Sequence, residues 1–405
     1  MSILICSCTG FEDPSSRSSQ NVQSSVYTRV DLGTLGGRWS LAADIDSKNV
    51  VVGSSETSSG VTHAFRWLAT EGMTDLGTLP GDVESQAVSI LSGDSPNAGE
   101  VLGFSGSDDH WTPVVWSAGG IPRALAIPLL PGASFGRPSD FNEHGTVVGW
   151  DVAVSEHAWA WSADGSKVDL TMNVPGGSRE GSATAISPSG AVLITSQGSG
   201  CALVVECWRT YLWSPSSGFD ALGTPANASD AAVTGLDAND GGTIVGWVAQ
   251  GSTQTTAYRW SRKEGFTLLP HYAGAQYPGG YGTAVDALGS VVGAERESSS
   301  AGTYVATLWP AGGGIVRLSA DDPNPSIAVA ISALGTVAGW AALPDGANHA
   351  VVWTPGSNVV SNRTVALSAN LASVGAAPAR CIADVGKLTS RQKVATCLFD
   401  ANRIR

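Results

Sequence analysis

The sequence predicts an all-β chain closed into a seven-bladed β-propeller of four-stranded antiparallel blades. Three observations carry that prediction. The phrase DLGTLGG at Asp31 returns as DLGTLPG at Asp75. An apolar pair followed by glycine recurs along the chain, ending at Gly53, Gly103, Gly149, Gly246, Gly293 and Gly339. Seven tryptophans, Trp67, Trp116, Trp161, Trp213, Trp260, Trp309 and Trp353, follow at separations of 49, 45, 52, 47, 49 and 44 residues. A unit that recurs at such a period cannot bury its apolar face alone and must stack on its neighbours.

Each copy holds four short runs rich in β-branched and aromatic residues, separated by Gly, Asn, Asp, Ser and Pro. In the third copy these are PSDFN, GTVVGW, EHAWAW and SKVDL. The first two runs are joined by a tight connection, as in Asn142-Glu143-His144-Gly145, Ser187-Pro188-Ser189-Gly190 and Asn239-Asp240-Gly241-Gly242. A polar capping residue with glycine three later is hairpin chemistry. The blade tryptophan, at one place on every third strand, is expected to fill the wedge between sheets and bury about 200 Å². The fourth copy departs, with AVLITSQ from Ala191 in place of the glycine motif and an insertion spanning Cys201 to Cys207. The run Val26 to Gly33 matches a fourth strand with no first three before it. This run and NRTVALS from Asn362 compete to complete the last blade, built from IAVAIS, GTVAGW and NHAVVW, a choice the sequence leaves open. The chain therefore divides into a signal remnant and tether over 1–25, the propeller over 26–362, and an extension over 363–405.

Of 405 residues, 14% are charged, while 50 glycines and 14 tryptophans mark a turn-rich β chain. The net charge of −13 with no basic cluster excludes nucleic acid and an anionic membrane surface as partners. No apolar run approaches the roughly 20 residues that span a bilayer. The first residues resemble the tail of a secretory signal, and Ile5-Cys6-Ser7-Cys8 resembles a bacterial lipobox with Cys8 as the lipid-bearing residue; the alternative is a start with two free thiols. Membrane association is expected only through that lipid. Cys201 with Cys207, and Cys381 with Cys397, are readable as disulfides of an exported protein, a connectivity that sequence leaves open. The expected setting is extracellular, cell-surface or periplasmic, and the expected state a monomer.

DLGTLGG, the turn before VVG, and HAFRW from His63 to Trp67 resemble the HAF repeat of bacterial extracellular repeat proteins. HAWAW and HAVVW are weaker echoes. The resemblance spans roughly residues 26 to 362 and implies an exported, propeller-like repeat protein with no settled catalytic activity. Copies two, four, five and six lack the histidine.

His63, His157 and His349 stand four residues before a blade tryptophan, which reads as a structural histidine bonded within its blade. No HxH or HExxH spacing supports zinc, and no cofactor is implied. DANDGG from Asp237 resembles a calcium loop with Gly where the fifth position wants Asp or Asn. Gly132 to Gly136 spells GxSxG, which works only on a turn from strand to helix. The aromatics outside the seven-fold pattern are more informative. Trp150, Trp247 and Trp340 end second strands, and the loops entering first strands on the same face carry Arg38, Trp39, Arg137, Arg179, Tyr272, Tyr277 and Tyr281. Flat rings beside hydrogen-bond donors suit a glycan or a protein ligand; the bland reading packs the tryptophans between blades. The first functional reading is thus a binding or scaffolding module with Trp39, Trp150, Trp247, Trp340, Arg38, Arg137, Arg179 and Tyr277 as its site. The alternative is a glycoside hydrolase or lyase acting on an extracellular polysaccharide through carboxylates from separate blades.

If the chain is exported, thiol counting under denaturing, non-reducing conditions will find at most two free thiols, those of Cys6 and Cys8. Four or more would place it in a reducing compartment.

Overall fold

The computed structural model describes residues 27–356 apart from 108–109, 134, 154, 176–179, 198–207, 227–231, 240, 251–253, 274–278, 297–302, 320–321 and 323. Cys8, Cys201, Cys207, Cys381, Cys397, Arg179, Tyr277 and the run from Asn362 lie outside the described residues.

Among the described residues, seven four-stranded antiparallel sheets form the molecule. Six are built from consecutive chain, over 36–75, 84–124, 135–169, 181–221, 232–268 and 280–317. The seventh takes Ser326–Ile331, Val337–Ala342 and Asn348–Pro355 and is completed by Tyr27–Asp31, which runs antiparallel to the last of these with Arg29 opposite Trp353. First strands abut one another around the ring, blade 7 against blade 1, so the sheet edges nearest the axis face each other. The N-terminal strand thus fills the slot for which NRTVALS competed. A closed ring removes the long open edges that would invite aggregation.

The recurring glycine has a geometric cause. In every blade the first strand carries one extra residue, for example between Ala42 and Asp44 or between Pro138 and Asp140. The motif glycine sits opposite this bulge. A Cβ on Gly53, Gly103, Gly149, Gly246, Gly293 or Gly339 would come within 2.1 Å of a first-strand carbonyl oxygen. Blade 4 keeps the bulge, between Ala183 and Ala185, with Ile194 opposite Ala183. The same glycines make room for aromatic rings. Added Cβ atoms on Gly103 and Gly339 would meet the indoles of Trp116 and Trp353, and those on Gly53 and Gly149 the rings of Phe65 and Trp159.

The expectation that every blade tryptophan fills a wedge is corrected by that last pair. Trp116, Trp309, Trp353 and Trp260 are buried, whereas Trp67, Trp161 and Trp213 are half-buried. Side chains two apart on a strand share a face. Where the residue two earlier is Phe65, Trp159 or Tyr211, that ring takes the interior place; where it is Val114, Thr307 or Val351, the tryptophan itself is fully buried; in blade 5 both Tyr258 and Trp260 are buried in one cluster.

Seven buried clusters occupy the seven seams between blades. One joins Val52, Ala64 and Leu76 of blade 1 to Ala87, Ile90, Val101, Val114 and Trp116 of blade 2. Each cluster receives one leucine from just after a fourth strand: Leu32, Leu76, Leu125, Leu170, Leu222, Leu269 and Leu318. Each leucine N–H donates to a third-strand carbonyl of its own blade at 2.8–3.1 Å. The hairpin turns are as the sequence predicts. Asn142 Oδ1 accepts from the N–H groups of His144 and Thr146, and Gly145 has φ 76°.

Trp116→Ala is expected to cost about 3–5 kcal/mol, and Trp67→Ala, at a half-buried position, clearly less. Urea unfolding of the two variants checks the ranking; equal costs would refute the division between interior and displaced tryptophans.

Candidate functional site

The repeated DLG phrase ties blades together. Nδ1 of His63 lies 2.8 Å from Asp75, that of His157 3.1 Å from Asp169, and that of His349 3.0 Å from Asp31. Asp31 and Asp75 also accept from Gly33 and Gly77 N–H. In the next blade, Ser40 and Ser85 donate to the Gly33 and Gly77 carbonyls while accepting from Ala350 and Ala64 N–H. Each histidine holds third strand to fourth, and each serine holds the following blade to both. GASFG leads into a strand beginning at Phe135, without the helix a nucleophile elbow requires. In DANDGG, Asn239 caps the hairpin, and Asp237 accepts from Ala238 and Val285 N–H.

Trp150, Trp247 and Trp340 lie inside second strands rather than at their ends, and Arg38, Trp39, Arg137 and Tyr281 inside first strands rather than in the loops before them, toward the rim where first strands begin. Trp39, Trp150, Trp247 and Trp340 are half-buried, and none belongs to any of the seven buried clusters. They stand on blades 1, 3, 5 and 7, and among the described residues no ring contact joins them to one another. Arg38 is exposed, with its backbone N–H donating to Glu56.

Arg137 is the best-built part of this rim. It lies opposite Trp150 in the strand register. Its guanidinium carbon sits 4.7 Å from the Phe104 ring centre and 5.0 Å from that of Phe135. Phe135 meets Trp150 edge to face at 5.7 Å, and Phe104 meets Trp111 likewise at 5.2 Å. Burial pushes the Arg137 pKa down. Trp111 and Phe135 also line an adjacent cleft of about 230 Å³ between blades 2 and 3, together with Ile127, Leu129 and Asp151. There Asp151 is held by Lys167 Nζ at 2.6 Å and Trp159 Nε1 at 2.7 Å.

Across the ring, Tyr281 and Tyr304 meet at 5.4 Å, with Arg296 over Tyr304. Burial raises the Tyr281 pKa to about 12. Tyr272 is bonded to Thr307 and His271 to the buried Glu295, so both are part of the fabric. Phe104, Trp111, Phe135, Arg296 and Tyr304 were not picked out from the sequence. The spacing of Phe135 and Arg137, two apart on a strand, was the available signal for one of these contacts.

Near the axis, first-strand carboxylates bridge the blades. Asp44 accepts from Ile90 N–H, Asp140 from Ile186 N–H and Asp237 from Val285 N–H, all about 2.9 Å and each reaching the next blade. The Ser89 hydroxyl lies 3.2 Å from Asp44 and 2.8 Å from Asp140, yet carries one proton. These side chains keep some exposed surface, but protein encloses the carboxylates, and the enclosure sets their proton affinity. Burial, then the like charge of Asp140, raises Asp44 from 3.8 to about 7; burial, with a contribution from Asp237, raises Asp140 to about 6. Asp237 is raised by burial.

No family model and no curated protein matches the chain. Solved structures do. A puromycin hydrolase is 15% identical, with 79% of this chain and 52% of that chain covered at a TM-score of 0.54. An oligogalacturonate lyase from Vibrio parahaemolyticus is 9% identical, with 82% and 94% covered at 0.51. TolB from Acinetobacter baumannii is 15% identical, with 70% and 66% covered at 0.42. The chain thus spans about half the length of the hydrolase. At these identities the first two likenesses show the propeller fold alone.

The axial carboxylates make stability depend on pH. Their folded pKa values lie above the unfolded value, so their contribution is complete below about pH 4 and is lost as pH rises through about 6 to 7. The urea midpoint of the wild type is expected to fall over that window, and Asp140→Asn to flatten the fall. An unchanged slope in the variant would show that Asp140 does not carry this pH dependence.

Proposed function

We propose that this chain is an exported propeller module that binds an extracellular glycan on the rim bearing Trp39, Trp150, Trp247 and Trp340. One observation carries the reading: these four indoles lie outside all seven buried clusters, so the ring does not need them for its interior. Aromatic faces stack on sugar rings, and Arg38 and Arg137 supply donors for hydroxyl or carboxylate groups. The N-terminal residues and cysteine pairs support export, and the repeats support membership of the HAF-repeat family.

A second reading, an enzyme, has one observation in its favour. Asp44 and Asp140 are spanned by a single serine hydroxyl near the axis, and separated carboxylates with displaced pKa values are what glycosidic cleavage uses. Against it, both carboxylates accept hydrogen bonds from backbone N–H groups on two blades. That gives them a structural task.

A glycan-array screen of the purified chain, with turnover measured for every hit, separates the readings. Binding without product is expected, and Trp247→Ala should weaken it by more than about 1 kcal/mol while the fold survives. Product release would establish the enzyme, and silence across the array would point to a protein ligand.

A further inference from the structure

Among the described residues, the half-buried arginines are engaged through their side chains, with one exception. Arg66 donates to the Ala118 carbonyl, Arg209 to that of Trp208, Arg259 to those of Gly289 and Ala311, Arg296 to Tyr304 and Arg317 to the Asp322 carbonyl. Arg137 is half-buried too, yet among the described residues no hydrogen bond or ion pair reaches its guanidinium; its enclosed Nε lacks an acceptor, as do those of Arg66, Arg296 and Arg317. A cation partly withdrawn from water without a counter-charge is an unfavourable arrangement. Here it persists in a chain of net charge −13, where carboxylates are abundant.

We infer that Arg137 is the receptor for a carboxylate carried by a sugar ring, so that the rim between blades 2 and 3 selects acidic over neutral glycans. The inference rests on the reading of this rim as the binding face and narrows its ligand. Phe104 and Phe135 clamp the guanidinium from two blades and fix it in place. Ring contacts satisfy a guanidinium's π-face and leave its N–H donors for a planar acceptor, which a carboxylate matches with two parallel hydrogen bonds. Trp150, opposite Arg137 in register, and Trp111, against Phe104, provide indole surface for the sugar ring beside that charge. A neutral sugar would leave the guanidinium uncompensated.

Thermal unfolding of the full chain at constant ionic strength, with glucuronate, sulfate or glucose added, tests this. Glucuronate is expected to raise the wild-type midpoint in a saturable way, with glucose and sulfate without such an effect. Arg137→Gln should abolish the response while unfolding, without ligand, at or above the wild-type midpoint, because it removes an unpaired cation. Arg137→Lys keeps the charge but loses the planar fork and should weaken the apparent affinity at least tenfold. Arg123→Gln, at an exposed arginine outside this cluster, should respond as wild type. The inference fails if glucuronate has no effect on the wild type, if sulfate matches it, if Arg137→Gln or Arg137→Lys retains the full response, or if Arg137→Gln fails to fold. An array silent to neutral glycans with the glucuronate response intact would defeat the wider rim reading and leave this one standing. Neutral-glycan binding with no glucuronate response would do the reverse.

Discussion

A four-stranded blade buries neither of its faces by itself, and the seam between two blades is where this protein becomes stable. Each seam is a small core of valines, alanines and aromatic rings drawn from both neighbours, closed by one leucine from the end of a fourth strand. The bulge on the first strand and the glycine opposite it belong to the same device. The bulge strengthens the local twist, and the missing side chain lets strand and ring approach more closely than a Cβ would allow. Because every seam depends on the blade beyond it, the last must meet the first, and Tyr27–Asp31 makes that join.

The seams also explain how the chain uses its tryptophans. On the third strands of blades 1, 3 and 4 two positions compete for one interior place and the earlier, which holds a large ring, wins, whereas in blade 5 Tyr258 and Trp260 are both buried. In EHAWAW the competition is between two indoles. Trp159 is buried and Trp161 is displaced toward the surface. The rim tryptophans Trp39, Trp150, Trp247 and Trp340 stand outside this contest altogether, belonging to none of the seven buried clusters.

Polar groups follow a parallel logic. Inner strands meeting around an axis leave backbone N–H groups that water reaches poorly, and buried donors require acceptors. Asp44, Asp140 and Asp237 supply them from alternate blades. The consequence is like charge gathered in a confined space and pKa values pushed upward. Arg137 is the opposite case, a cation whose neighbours are rings rather than anions.

The repeat number, four strands per blade and the hairpin turns were legible in the sequence, because each is written in a local pattern: a period, an alternation, a glycine three residues after a cap. Which run closes the ring, Val26 to Gly33 or NRTVALS, was left open there and decided by the pairing of Tyr27–Asp31 with the last blade. The pairing of His63 with Asp75 was half legible, since both belong to the same repeated phrase. What the tertiary structure alone decided is which side chains from different blades meet. Ser89 touches Asp44 and Asp140, 45 and 51 residues away, and Arg137 finds Phe104 on the preceding blade. Periodicity predicts that such positions lie at one level of the ring. Whether they touch depends on the twist of each sheet and the angle at which neighbouring blades close, and these emerge only when all seven seams are packed together.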